Sequence, residues 1–317
     1  MTVVIMPAII IVLFVAFLFT SEKVFEGTNF YKNKYSETDK LWGTDKVDFV
    51  NTGSTFAFYG LEYDVCGVKG LNLALKPQSI EEDFRMLRHF ESRYNESATV
   101  FIVISDLAFA KKEYTDSGIV DKYYKVLNSR EIDHFNPFRA LRARYFPVLY
   151  SWKNILRFYR DIKPDNEYDL KVNENDIEAV EADAYKRCQV WMEEFKLRNL
   201  SDGSQGERFL NVFTYTTEIV ANMISWCKER GYRPVLVNLP VAEKMKNSFS
   251  NEFLDTFYYN NINRAINKSK MEDVLFIDLQ KSEKLSDYLL YLDSCRLNKA
   301  GREIVTKVLL RKAGNMI

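Results

Sequence analysis

The chain has 317 residues, 47% of them hydrophobic, and its 44 basic side chains balance 44 acidic ones. That supplies one substantial core, and length alone permits one domain or two. With zero net charge and no run of lysine or arginine, there is no electrostatic footprint for a phosphate backbone, which speaks against nucleic acid as a partner. Cys66, Cys188, Cys227 and Cys295 form no Cys-x-x-Cys pair, and His89 and His134 are the only histidines, so neither a metal site nor a cofactor is expected.

From the amino terminus, Thr2 to Thr20 carry no charge and are mostly Val, Ile, Leu, Phe, Met and Ala. About 19 residues at roughly 1.5 Å each reach about 28 Å, close to the hydrocarbon thickness of a bilayer. The stretch 1–20 therefore predicts a single transmembrane anchor. A cleaved signal peptide is the rival reading, but Phe17-Leu18-Phe19-Thr20 lacks the small-x-small cleavage pattern. Residues 21–45 read as a polar tether with scattered aromatics (Phe25, Phe30, Tyr31, Tyr35, Trp42) that packs onto the domain beyond it. An extracytoplasmic domain at the cell membrane is expected. Lys23, Lys32 and Lys34, set among Glu22, Glu26 and Glu37, give the positive-inside rule little to act on and lean against that side.

Strands and helices then alternate over 46–317. Apolar runs at Val47–Val50, Leu71–Leu75, Thr99–Ile104, Pro234–Leu239 and Val274–Ile277 predict strands. Between them, helices are expected from Thr55, from Ser79 to about Tyr94, over Glu207–Arg230 and Phe249–Ser269, and at the carboxyl end. Ser79 with Glu82 fits a capping box. Short hydrophobic strands separated by helices imply a parallel sheet covered on both faces. Residues of about 110–205 contain no strand pattern and read as a helical insert, with an aromatic and basic part (Phe135–Arg160) and an acidic part (Asp161–Glu181).

Ligands of open parallel sheets bind at the carboxyl ends of the strands. Ser54 directly follows the first strand, and Gly53 before it permits a tight turn, so the hydroxyl and N–H of Ser54 can face one small volume. Taken alone, Gly-Ser at that place reads first as a plain helix cap. Near the other end, Asp293-Ser294-Cys295-Arg296-Leu297-Asn298 precedes the last amphipathic helix.

The ordered blocks Asn51-Thr52-Gly53-Ser54-Thr55, Asn72-Leu73-Ala74-Leu75, Val103-Ile104-Ser105, Leu236-Val237-Asn238-Leu239-Pro240 and Asp293-x-x-Arg296-Leu297-Asn298-x-x-Gly301 resemble the SGNH/GDSL hydrolase superfamily, most of all its membrane-anchored bacterial cell-envelope branch. The resemblance covers roughly residues 46–315 and implies a three-layer α/β/α, flavodoxin-like fold of about five parallel strands, with a helical insert and one N-terminal transmembrane helix. It implies Ser54 as nucleophile and Asp293 as the acid that orients a histidine three residues later. At that position stands Arg296. The oxyanion glycine falls at Ala74, whose N–H remains, and the asparagine of the third block is replaced by Ser105-Asp106. Gly53, Ala74, Ser105, Asp106 and Asn298 complete the implied oxyanion and binding set. The implied partners are a cell-envelope polysaccharide or its acyl donor.

Arginine keeps its proton at ordinary pH, so Arg296 cannot take the proton of Ser54. Losing a triad base typically removes on the order of a millionfold in rate. Two readings stand: a degenerate hydrolase-like protein that binds or scaffolds a carbohydrate or acyl group, and an active serine esterase or O-acyltransferase with a base from elsewhere. His89 and His134 both read first as ordinary helix or loop residues. An Asp293–Arg296 ion pair is expected to act as a latch or an anion clamp.

Overall fold

The β-branched and aromatic runs pair as a sheet of five parallel strands: β1 (Val47–Asn51), β2 (Gly70–Asn72), β3 (Tyr94–Val103), β4 (Arg233–Asn238) and β5 (Leu275–Asp278), in the order β2-β1-β3-β4-β5. This computed structural model describes residues 2–28, 31, 36–115, 117–149, 176–271 and 273–314. Its described α-helices of six or more residues are α1 (Thr2–Glu26), α2 (Thr55–Gly60), α3 (Ile80–His89), α4 (Ser117–Val126), α5 (Pro137–Tyr145), α6 (Ile177–Glu194), α7 (Leu210–Glu229), α8 (Asn260–Ser269) and α9 (Lys299–Lys312). The chain forms two compact units, Met1–Gly43 with Thr115–Leu170, and Thr44–Tyr114 with Lys171–Ile317.

The second unit holds the sheet. Helices cover both of its faces, as parallel strands with no polar side require. Phe101 and Val103 of β3, Val235 and Val237 of β4 and Ile277 of β5 share one buried cluster with Ala57 of α2 and Val305, Leu309 and Leu310 of α9. Alternate residues such as Val100, Ile102 and Leu236 are equally buried, and α3, α7 and α8 pack together as the other layer. The strand order reverses between β1 and β3, and open α/β sheets bind ligands at the carboxyl ends of such a switch point.

Several element ends differ from the sequence expectation. The helix from Ser79 stops at His89, and the tight turn Glu91–Arg93 turns the chain so that Tyr94 already begins β3. The Tyr94 hydroxyl donates to Leu87 O at 2.7 Å, tying the strand start to the helix end. β2 ends at Asn72, so the buried residues Leu73–Leu75 leave the sheet. The expected Phe249–Ser269 helix is interrupted by a π turn over Asp255–Tyr259. The extra residue lets Phe257 and Tyr258, neighbours in sequence, both point inward. Ser79 caps α3 as expected, accepting the Glu82 N–H, with a short hydrogen bond between the two side chains.

In the first unit α4 and α5 pack together and the end of α1 is enclosed. Ser21, Glu22 and Phe25 are buried, and Glu22 accepts the Val148 N–H at 2.9 Å. Glu37 in the turn Ser36–Leu41 pairs with Lys122 at 3.7 Å, both side chains buried, and Asp121 binds Arg139. Met6–Glu26 is long and apolar enough to cross a membrane or to serve as a signal sequence. Phe30 and Tyr35 of the expected tether, and residues 151–175 of the insert, lie outside the described residues.

Phe257 stacks on Phe253 with ring centroids 4.1 Å apart and meets Phe213 and Phe209 edge-on. Phe257→Ala is expected to lower the unfolding free energy by about 3–5 kcal/mol, through lost transfer energy and the cavity left behind. Denaturant melts of both proteins, with an unchanged m-value, measure it.

Candidate active site

β1 ends in a turn with room for only one kind of residue. Gly53 has a φ of +121°, and a Cβ there would stand 2.7 Å from Ala57 Cβ and 3.0 Å from Val103 O. Its N–H donates to Asp83 Oδ1 at 2.7 Å, and the Gln78 side-chain amide reaches Gly53 O at 3.2 Å, Leu73 O at 3.3 Å and Asp83 Oδ1 at 2.6 Å. Ser54 precedes α2 but makes no side-chain cap hydrogen bond. Its Oγ instead accepts the Gln78 N–H at 3.0 Å. Beneath the turn, Asn51 donates to Asn72 Oδ1 at 2.9 Å and accepts from the Tyr63 hydroxyl at 3.0 Å. Ala74, whose N–H is the implied oxyanion donor, gives that N–H to Asn72 Oδ1 at 3.0 Å.

The second cluster surrounds Asp293, a side chain only 1% exposed. Its Oδ1 accepts the N–H groups of Cys295 at 3.0 Å and Arg296 at 2.7 Å. Its Oδ2 accepts Arg296 Nε at 2.5 Å and an Arg187 guanidinium nitrogen at 3.0 Å. Arg187 comes from α6 and also binds Asp183, one turn earlier on that helix. Asp183 in turn accepts the N–H of Ser294 at 3.1 Å and its hydroxyl at 2.5 Å. Burial alone would lift the Asp293 carboxyl, but the two guanidinium groups and two backbone N–H groups outweigh it and hold the pKa below the usual carboxylate value. Burial pushes the Cys295 thiol far up, so it stays protonated and inert.

Arg296 lies over the Tyr59 ring of α2, 5.2 Å from its centroid, and Lys76 Nζ meets the Tyr59 hydroxyl at 3.1 Å. Phe56 of α2 touches Trp191 of α6 with ring centroids 6.2 Å apart. The short helix that follows Ser54 is thus the element on which the two clusters converge. No hydrogen bond joins Ser54 to Asp293 or Arg296, and among the described residues no His, Asp or Glu bonds to the Ser54 hydroxyl.

The remaining implied site residues have other attachments. Asp106, after β3, is buried and accepts from Gln280 at 2.9 Å and Asn238 at 3.4 Å. Ser105 is half-buried, and its carbonyl accepts the Ala108 N–H. Asn298 caps α9: its Oδ1 accepts the Gly301 N–H at 2.9 Å and its amide donates to Leu289 O at 2.7 Å. His89 ends α3 and sits against Phe90. His134 is exposed in the first unit.

Sequence reasoning missed Arg187, Asp183, Asp83 and Gln78. Asp183-x-x-x-Arg187 looks like any solvated helix pair, and Asp83 like one more acid in the first turn of a helix. Burial raises Asp83 to about 7, with Gln78 and Gly53 donors opposing, and raises Asp106 to about 6. No protein-family model matches the chain, and no curated protein matches it in sequence.

Two expected outcomes follow from this geometry. Arg296→Ala leaves Asp293 its Arg187 partner, so the loss should be about 1.5–3 kcal/mol, the worth of one charged hydrogen bond. Asp293→Ala strands two half-buried guanidinium groups and should cost about 3–5 kcal/mol. Urea unfolding of both variants gives the order. For pH, a raised carboxyl pKa means that the folded state holds protons the unfolded state has released. Asp83 and Asp106 therefore stabilise the fold below about pH 4, and that share is lost as pH rises through about 6 and 7. Asp83→Asn keeps an acceptor oxygen for Gly53 and Gln78, so its melting temperature should be flatter than wild type between those limits. A slope identical to wild type would contradict the assignment.

Proposed function

We propose that the chain is a membrane-anchored, SGNH/GDSL-like protein of cell-envelope glycan metabolism that has lost serine-hydrolase turnover. In this reading it binds or scaffolds a carbohydrate or acyl group at the carboxyl edge of its sheet. The observation that carries the reading is Asp293. Its two oxygens are taken up by Arg296, Arg187 and two backbone N–H groups, so an acid that would orient a catalytic base holds two permanent cations instead.

The likeness to SGNH proteins is supported by the strand order β2-β1-β3-β4-β5, a Gly-Ser turn straight after β1, and an acidic turn leading into the last helix. Binding is supported by the half-buried rings of Phe56, Phe58, Tyr59 and Trp191, next to Lys76 and Arg296. Ring faces stack on sugar rings and acyl chains, and the two cations suit an anionic substituent. Anchoring rests on the length and apolarity of α1. The envelope reading puts the second unit outside the cytoplasm, and protease added to intact cells should then cleave it.

The deciding measurement is ester turnover by the full chain in detergent, with p-nitrophenyl acetate and an O-acetylated hexose oligosaccharide as substrates. Wild type and Ser54→Ala are expected to match the uncatalysed rate, while the oligosaccharide quenches tryptophan emission in both. Wild-type turnover that disappears in Ser54→Ala would establish the alternative, an active serine esterase or O-acyltransferase. Arg296→His is the third arm: it should stay silent, because Arg187 still occupies Asp293 and no hydrogen bond joins residue 296 to Ser54.

A further inference from the structure

A hollow of about 580 Å³ opens in the second unit at the end of β5. Gln280 and Lys281, just past that strand, line it together with Asp255 and Tyr259 of the π turn and with Asn247 and Asn251 from the chain after β4. Its volume lies within the range of about 300–1,000 Å³ usual for small-molecule sites, and carboxyl ends of parallel strands are where such sites form. Among the described residues, none that surrounds Ser54 or Asp293 lines it.

Two buried carboxylates hold this lining in place. Asp278, the last residue of β5, has a side chain only 6% exposed. Its Oδ1 accepts the Gln280 N–H at 3.2 Å, and its Oδ2 accepts the Tyr259 hydroxyl at 2.8 Å with Lys281 Nζ at 3.6 Å. Asp106 fixes the Gln280 side chain, whose amide nitrogen donates to Asp106 Oδ2 at 2.9 Å and to Asn238 Oδ1 at 3.3 Å. With both amide N–H groups engaged, the side-chain oxygen is the end of Gln280 left for a ligand. The π turn acts on the same hollow. Its first and last residues, Asp255 and Tyr259, both line the space while Phe257 and Tyr258 go to the core. π turns inside helices are frequent at functional sites, and this one carries the Tyr259 hydroxyl to Asp278.

The balance of groups says what fits. Lys246 and Lys281 are matched in number by Asp255 and Asp278, so the hollow has no net charge with which to select an ion. Its other polar groups are neutral: the amides of Asn247, Asn251 and Gln280 and the hydroxyl of Tyr259, which bring donors and acceptors together. The neighbouring hydroxyls of a sugar, each both donor and acceptor, match such a set, and the rings of Tyr259 and Phe249 supply apolar area for its C–H groups. We propose that this hollow is a second ligand site on the sheet, separate from Ser54, and that it takes a neutral hexose saccharide. Asn247, Asn251, Tyr259 and Gln280 bind its hydroxyls, and Asp278 and Asp106 are positioning residues behind them. The inference stands on the hollow itself and requires neither the membrane anchor nor the reading of the Ser54 turn.

The test is saturation-transfer NMR on the full chain in a zwitterionic detergent without a sugar headgroup, titrated with maltose, cellobiose and lactose. Glucose, glucuronic acid and glucosamine serve as a neutral and charged comparison set. Transfer to at least one disaccharide is expected, and glucose should bind more tightly than either charged sugar. Tyr259→Phe keeps the ring and leaves Asp278 its Gln280 and Lys281 partners, so the loss of one neutral hydrogen bond should weaken that disaccharide about two- to tenfold. Asn251→Trp sets a large ring at an exposed lining position and should abolish transfer. Circular dichroism melts check both folds, and Asn247→Trp, also at an exposed lining position, replaces Asn251→Trp if its melt falls. No transfer to any of the three disaccharides would overturn the inference, and quenching by the O-acetylated oligosaccharide in the same sample would leave the reading at Ser54 standing. Transfer lost in Tyr59→Ala but kept in Asn251→Trp would put the sugar beside Ser54 and overturn the second site. Glucuronic acid or glucosamine bound more tightly than glucose would overturn the neutral class.

Discussion

The carboxylate of Asp293, buried between Arg187 and Arg296, is the interaction on which the carboxyl edge of the sheet depends. A buried charge is costly unless every lone pair is engaged, and here four donors converge on two oxygens. The arrangement ties together elements far apart in sequence. Arg187 and Asp183 fasten α6 to the turn at residues 293–296, and Arg296 carries the connection on to α2 through the face of Tyr59. The helices α2, which follows Ser54, and α6, from the long insertion, are thereby held to the same short turn.

Three carboxylates near this edge show how environment decides the state of one functional group. Asp293 has fixed cations beside it and stays ionised, whereas Asp83 and Asp106 have only neutral amide donors and are pushed up to about 7 and about 6. Asp83 braces the Gly53 turn, and Asp106 is locked to Asn238 and Gln280, so neither carboxylate is bonded to the Ser54 hydroxyl. Among the described residues the Ser54 hydroxyl instead accepts the Gln78 N–H.

The first unit follows the same rule with different parts. Its interior contains the Glu37–Lys122 pair and the Asp121–Arg139 contact, while large apolar side chains of α5 face outward. The rest of that interior is apolar, with Phe25, Leu41, Tyr123, Val126 and Leu127 buried around these charges.

Much of this was legible in the sequence because it depends on local pattern. The β-branched runs, the uncharged first twenty residues and the Ser79 cap follow from side-chain period, hydropathy and short-range hydrogen bonding, and β1, β4 and β5 lie within a residue of their expected places. The Asp293–Arg296 pair was readable too, since three residues of one turn can hardly avoid meeting. What lay beyond reach were contacts set by distance in space: Arg187, 106 residues from Asp293, Asp83, 30 residues from Gly53, and the capture of the Ala74 N–H by Asn72. The sequence by itself determined a parallel α/β sheet and the absence of a histidine at position 296, because period and residue identity are properties of the chain. Only the tertiary structure decided that Asp293 holds two cations, that Asn298 serves as a helix cap and that α5 turns its rings outward, because each depends on which other surfaces arrive beside it.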